Sequence, residues 1–148
     1  MKAEQLIFGN LNRMKFCIEF NYVFQDFFKL NGLSYPKESK TISLVANNII
    51  YNRNLSFFAE FTNTDCIFNL VIRDNFHLPF SLEDYFTKTD PVNKDKLIIA
   101  DYKSDLNNKL NVFFDFLNEV LYSSEIKKLI TTSYWTEEYY VDMWGSYK

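Results

Sequence analysis

An α+β fold is predicted: an antiparallel meander of at least three strands, covered by an N-terminal helix and by C-terminal helices. Three observations carry that reading. The hydrophobic period is helical near the N-terminus, changes to two between Ile42 and Arg73, and returns to helical from about Ser104 onward. The linkers between the alternating segments are short, as antiparallel neighbours require. Gly and Pro number 3 each, so most of the chain belongs in regular elements.

The first helix is expected from about Asn10 to Asn31. Phe16, Phe20, Val23, Phe24 and Phe27 take the spacing of one buried stripe, with Lys15, Glu19, Asp26 and Lys29 opposite. Asn31-Gly32 is a left-handed stop, and Pro36 prevents the helix from resuming. Ile18 and Tyr22 fall on the charged side, and packing under another element is preferred for them over a partner contact.

A first strand lies within Ile42 to Tyr51, with Asn47-Asn48 as a candidate break. Leu55, Phe57, Ala59 and Phe61 then share one strand face, and Cys66, Phe68, Leu70 and Ile72 share the next. "NRN" before Leu55 and "TNTD" between the two strands are turns by their side chains. Phe20, Phe24, Phe57, Phe61, Phe68, Leu70, Phe113 and Leu117 are the expected core.

Ser81 is read as the N-cap of a single helical turn, with Glu83 and Asp84 complementing its dipole. Two readings stand for Thr87 to Lys103: Asp90-Pro91 as a helix start, or "LIIADY" as a buried extended piece. Ser104 is expected to cap a long helix with an apolar stripe of Leu106, Leu110, Phe113, Phe114, Leu117, Val120 and Leu121. A shorter helix follows at about Glu125 to Ile130. In the tail, Thr136 is read as the cap of a last helix. Glu137 and Glu138 would lie in its first turn, Gly145 at its end, and Trp135 and Tyr140 would form a hydrophobic staple.

With 148 residues, no repeats and no long linker, the chain is expected to be one globular domain spanning 1–148. Hydrophobic residues are 47% and the net charge is only -3, which argues against disorder. That charge, with no Lys or Arg cluster, speaks against nucleic-acid binding. The apolar run in "MKAEQLIFGN" is too short for a signal peptide, and nothing approaches a membrane span. A cytoplasmic protein is expected, with Cys17 and Cys66 as thiols rather than a disulfide.

The catalytic inventory is thin, and no enzyme activity is expected. His77 is the single histidine and reads as a structural or surface residue. No zinc-type ligand set or Gly-rich phosphate loop is present, so no metal or cofactor is assigned. The pairs Glu83/Asp84 and Glu137/Glu138 read first as helix N-terminal charge. Binding is better supported: Glu137, Glu138, Tyr139, Asp142 and Trp144 form an acidic, aromatic tail surface of the kind that anchors protein partners. Closure of the domain by the same aromatics is the competing reading.

"NNIIYNRNLSFFAEFTNTDCIFNLVIRD", "PFSLEDYF" and a long helix ending in "EVLYSSEIKKLI" together resemble the layout of small bacterial immunity proteins of polymorphic or contact-dependent toxin systems. The resemblance covers roughly residues 47–130. It implies tight stoichiometric binding of a toxin domain without catalysis, and it assigns no binding residue. A small metal-dependent hydrolase or nuclease using exposed carboxylates, or a self-assembling phage or mobile-element accessory protein, are the alternatives.

Overall fold

The computed structural model describes residues 3–34, 37–38 and 43–139. Helix α1 spans Ala3–Leu30 and is followed by strands β1 (Lys37–Glu38), β2 (Ser43–Asn48), β3 (Arg53–Phe61), β4 (Cys66–Arg73) and β5 (Phe80–Ser81). Helices α2 (Leu82–Thr89) and α3 (Pro91–Asp95), strand β6 (Ile98–Ile99), and helices α4 (Leu106–Tyr122) and α5 (Ser124–Thr131) complete the order. The strands form an antiparallel sheet, β1-β2-β3-β4-β5, in which β6 also pairs with β4. This is the α+β architecture that the change of period predicts.

Alternation in β3 and β4 places Leu55, Phe57, Phe68, Leu70 and Ile72 on the face that meets the helices. Phe16, Phe20 and Phe24 of α1 and Phe113 and Phe114 of α4 close over it. The Phe20 ring lies 4.9 Å from Phe57 and 6.1 Å from Phe114, and Phe113 lies 5.1 Å from Phe68. Burying each such side chain contributes roughly 1.5–3 kcal/mol. Of the expected core, Phe61 alone is only half-buried. It ends β3 beside a turn, where Tyr102 and Phe16 cover its ring on two sides.

Helix α1 starts at Ala3 rather than near Asn10, since one glycine at position 9 costs only about 1 kcal/mol in a helix. It ends as expected: Gly32 has φ +69°, and Leu33 N–H donates to Phe28 O at 2.9 Å. The outward side of α1 departs from expectation. Among the described residues no element covers Ile18 and Tyr22: they are 64% and 73% exposed, in line with Met14, and Val23 of the expected stripe is exposed too. Sheet and α4 reach only one side of this helix.

Asn47-Asn48 does not break β2, because both residues pair with β3 through Asn54 and Arg53. Helix α2 is longer than a single turn, with 8 residues, and Ser81 Oγ accepts from Asp84 N–H as its cap. Both readings of the 87–103 stretch hold. Asp90 caps α3 with Pro91 at its first position, and "LIIADY" then supplies β6 and buries Leu97, Ile99 and Tyr102. Ser104 does not cap α4. The preceding turn uses left-handed residues at Asp101 (φ 48°) and Asp105 (φ 62°), which puts Asp105 at the cap without a side-chain bond.

No helix formed by the described residues is long and apolar enough to cross a membrane. Among the described residues neither Cys17 nor Cys66 is in a disulfide. Cys66 is buried, which pushes its thiol up to about 12.

Candidate functional site

Two turns and the start of the tail meet at one end of the sheet. The β2–β3 hairpin turn (49–52) and the segment after β4 (74–79) lie together because Asn54 pairs with both Asn47 and Arg73. The hairpin turn is unusual in composition: two isoleucines and a tyrosine occupy positions where turns ordinarily place Gly, Asn or Asp. Asn52 supplies the left-handed residue, at φ 57°. Asn48 stabilises the turn internally, its Oδ1 accepting from Ile50 N–H at 3.1 Å and Tyr51 N–H at 3.4 Å.

Asn48 and Arg53 also face the helices, and there they solve a problem at the end of α5. The last carbonyls of a helix have no intrahelical donors. Asn48 Nδ2 donates to Ile130 O at 3.0 Å, and Arg53 Nε donates to Leu129 O at 2.6 Å. Arg53 Nη2 continues along the chain to Thr132 O (2.9 Å) and Tyr134 O (3.1 Å), while Nη1 reaches Tyr51 O (2.8 Å). A guanidinium at a helix C-terminus also complements the dipole. One buried side chain thus ties the hairpin turn, the end of α5 and the start of the tail together.

Asp74 completes the arrangement. Its Oδ2 lies 3.5 Å from Arg53 Nη1 and 2.6 Å from His77 Nδ1, and Oδ1 accepts from the Phe76 and His77 backbone N–H groups. Burial pushes the Asp74 carboxyl up. The hydrogen bonds from the His77 ring and the two backbone donors outweigh that, so its pKa lies below the ordinary value. Trp135 packs against this cluster, with its ring 4.8 Å from the Arg53 guanidinium and stacked on His77 at 5.3 Å. Its indole N–H donates to Leu78 O at 3.2 Å.

His77 is therefore a positioned turn residue. A neutral ring donating to Asp74 carries its hydrogen on Nδ1, which makes Nε2 the acceptor nitrogen. Among the described residues no Ser, Thr or Cys side chain is bonded to it. No group of three or more His, Cys, Asp or Glu among them is arranged to hold a metal.

What this end presents outward is apolar. Ile49 is 87% exposed, Ile50 78% and Phe76 85%, with Tyr51 and Leu78 exposed beside them. A cleft of about 540 Å³ opens next to the turn, lined by Asn47, Asn52, Asn54, Arg73, Asn75 and others.

The tail residues singled out from the sequence are divided. Residues 137–139 are not helical, so Thr136 caps no helix there; Tyr140 and Gly145 lie outside the described residues, as do Asp142 and Trp144. The segment is instead held by Ser81 N–H donating to Tyr139 O at 2.8 Å and Lys88 Nζ donating to Glu138 O at 2.7 Å. Tyr139 packs edge-on against Tyr85 at 5.0 Å and Phe80 at 6.2 Å, so its ring closes the domain. Glu137 and Glu138 are exposed. Sequence reasoning took Asn48 as part of a candidate strand break and Arg53 as part of a turn, and gave Asp74 no role. The signal that could have found this end is the isoleucine pair Ile49-Ile50, which the sequence reading left in the strand segment before the turn.

Comparison of the chain with protein-family models, curated proteins and solved structures gives no match.

Proposed function

We propose that this chain is a non-catalytic protein-binding module that neutralises a bacterial toxin domain by stoichiometric binding, in the manner of immunity proteins. The observation that carries the reading is the apolar tip at the sheet end. Large exposed side chains at Ile49, Ile50 and Phe76 sit on two turns at the same sheet end, which Arg53, Asn48 and Asp74 hold in place. Contiguous exposed apolar surface marks interaction sites, and a preset surface loses less entropy on binding than a mobile one. Glu137 and Glu138 remain available as rim charges that steer association with a basic partner. The competing hydrolase reading draws less support, since Asp84 is closed off from solvent rather than exposed.

The test is binding to the toxin domain encoded beside this chain, measured by calorimetry and surface kinetics. Ile50→Asp and Phe76→Asp should each cost about 2 kcal/mol, roughly 30-fold in Kd, mostly through faster dissociation. Neither should change the melting temperature, because both side chains face solvent. Wild-type affinity in both variants moves the interface elsewhere, and no binding by the unmutated chain ends the toxin-neutralising reading.

A further inference from the structure

The cleft beside the apolar tip differs from it in chemistry. Asn47, Asn54 and Arg73 stand in one row across β2, β3 and β4, on the sheet face opposite the helices. Asn52 and Asn75 add amides from the two turns, and the lip is Ile49. At about 540 Å³ the cleft is within the ordinary range for ligand sites, ~300–1,000 Å³.

Part of its hydrogen-bonding capacity is spent within the row, where Asn54 Oδ1 accepts from Ser56 Oγ at 3.3 Å. Asn54 Nδ2 donates to Asn47 Oδ1 at 2.9 Å, and Arg73 Nη1 reaches Ser56 Oγ at 3.4 Å. Among the described residues, no side-chain partner satisfies Asn52 or Asn75, and no carboxylate lies within ion-pair distance of Arg73. The adjacent acid, Asp74, is committed to Arg53 and His77. An exposed guanidinium has only donors, in a fork that fits a carboxylate. Amide side chains carry a donor and an acceptor each, the complement of a peptide unit.

From this geometry we infer that the cleft binds an extended peptide segment of the partner through an acidic side chain. Arg73 receives the carboxylate, and Asn47, Asn52 and Asn75 bond the flanking backbone. The inference rests on the binding role proposed above and gives it a chemical specificity: the partner offers a Glu or Asp next to the surface that covers Ile49 and Ile50.

The experiment needs no toxin. The ¹⁵N-labelled chain is titrated with acetyl-Ala-Glu-Ala-amide, with its Gln counterpart, and with acetate. Expected are saturable shifts of the Arg73 Nε–H and the Asn52 and Asn75 side-chain NH₂ signals with the Glu peptide. Binding of the Gln peptide and of acetate should be at least fivefold weaker. Arg73→Gln should erase the preference for Glu while leaving the melting temperature in place, and Ile50→Asp should preserve it. No shifts, or equal shifts with Glu and Gln peptides, overturn the inference. Acetate binding as well as the Glu peptide would reduce the cleft to a free-carboxylate site and equally overturn it. Because the readout involves no toxin, its failure is separable from failure of the tip substitutions to weaken toxin binding.

Discussion

The aromatic core and the polar cluster of Asn48, Arg53 and Asp74 at the hairpin end are both buried, but they are held by opposite kinds of force. In the core, Phe16, Phe20, Phe24, Phe57, Phe68, Phe113 and Phe114 share many weak, non-directional contacts. At the hairpin end a single guanidinium serves four carbonyls and one carboxylate. Packing loss in the first region is graded, since neighbours partly refill a void. Bond loss in the second leaves several buried polar groups without partners at once. Stability of the domain and shape of its proposed binding surface therefore rest on different residues.

The largest effect should come from the core. Phe20→Ala removes a fully buried ring that contacts Phe24, Phe28, Phe57 and Phe114, and should cost about 3–5 kcal/mol in denaturant titration. Hydrogen exchange should then accelerate throughout the sheet. A cost below about 1 kcal/mol would mean that the core collapses around the void far more readily than its packing indicates.

Next in size is Arg53→Met, which keeps length and apolar volume but removes every donor. It should cost about 3 kcal/mol, with a distribution unlike that of Phe20→Ala. Amides from Ile130 to Trp135 and of the hairpin turn should lose protection first, while β3 and β4 stay protected. Arg53→Lys should restore less than half of the loss, because one ammonium cannot reach carbonyls on three segments. Uniform loss of protection in Arg53→Met would erase the distinction between the two regions.

The smallest effect sharpens the comparison through pH. Asp84 is buried, and neither of its carboxylate oxygens has a hydrogen-bond partner among the described residues. Burial raises its pKa above the ordinary value, only partly opposed by the nearby Ser81 hydroxyl. The folded state thus holds a proton that the unfolded state releases, so this group's contribution to stability declines as pH rises from the ordinary carboxyl range through the raised value. Asp74 has the opposite sign. Its pKa is lowered, and its contribution is present above the ordinary value and lost as pH falls through the folded one. Asp84→Asn should therefore gain on the order of 1 kcal/mol at pH 8 and nothing at pH 3. An equal effect at both pH values would show that Asp84 is not held protonated in the fold.

The elements whose signal is local were read from the chain correctly. Gly32 needed only its φ freedom and β3 and β4 only their alternation, because each is set by residues a few positions apart, while Asp90-Pro91 as a helix start was one of two readings left open. The stripe of α4 followed from period in the same way, with Leu106 half-buried at its start. The Ser104 cap gave way to a local turn in which left-handed Asp101 and Asp105 put Asp105 at the start of α4, whereas the Thr136 cap failed where distant contacts, the Ser81 and Lys88 bonds to the tail, outweighed a local preference. Exposure of Ile18 and Tyr22 could not be read from α1 itself, because which side of a helix is covered depends on what packs against it.

The proposed site lies at the same boundary. The sequence by itself determined that the fold is α+β and that the tail is aromatic and acidic, but it placed Ile49, Ile50 and Tyr51 in the first strand segment rather than in the turn. Only the tertiary structure decided that Arg53 reaches carbonyls 76 to 81 positions away and that Tyr139 closes the domain. It alone decided that Ile49, Ile50 and Phe76 share one exposed end. The physical reason is that period and capping act over a few residues along the chain, whereas donors from a side chain are claimed by whichever carbonyls the packed helices bring within reach.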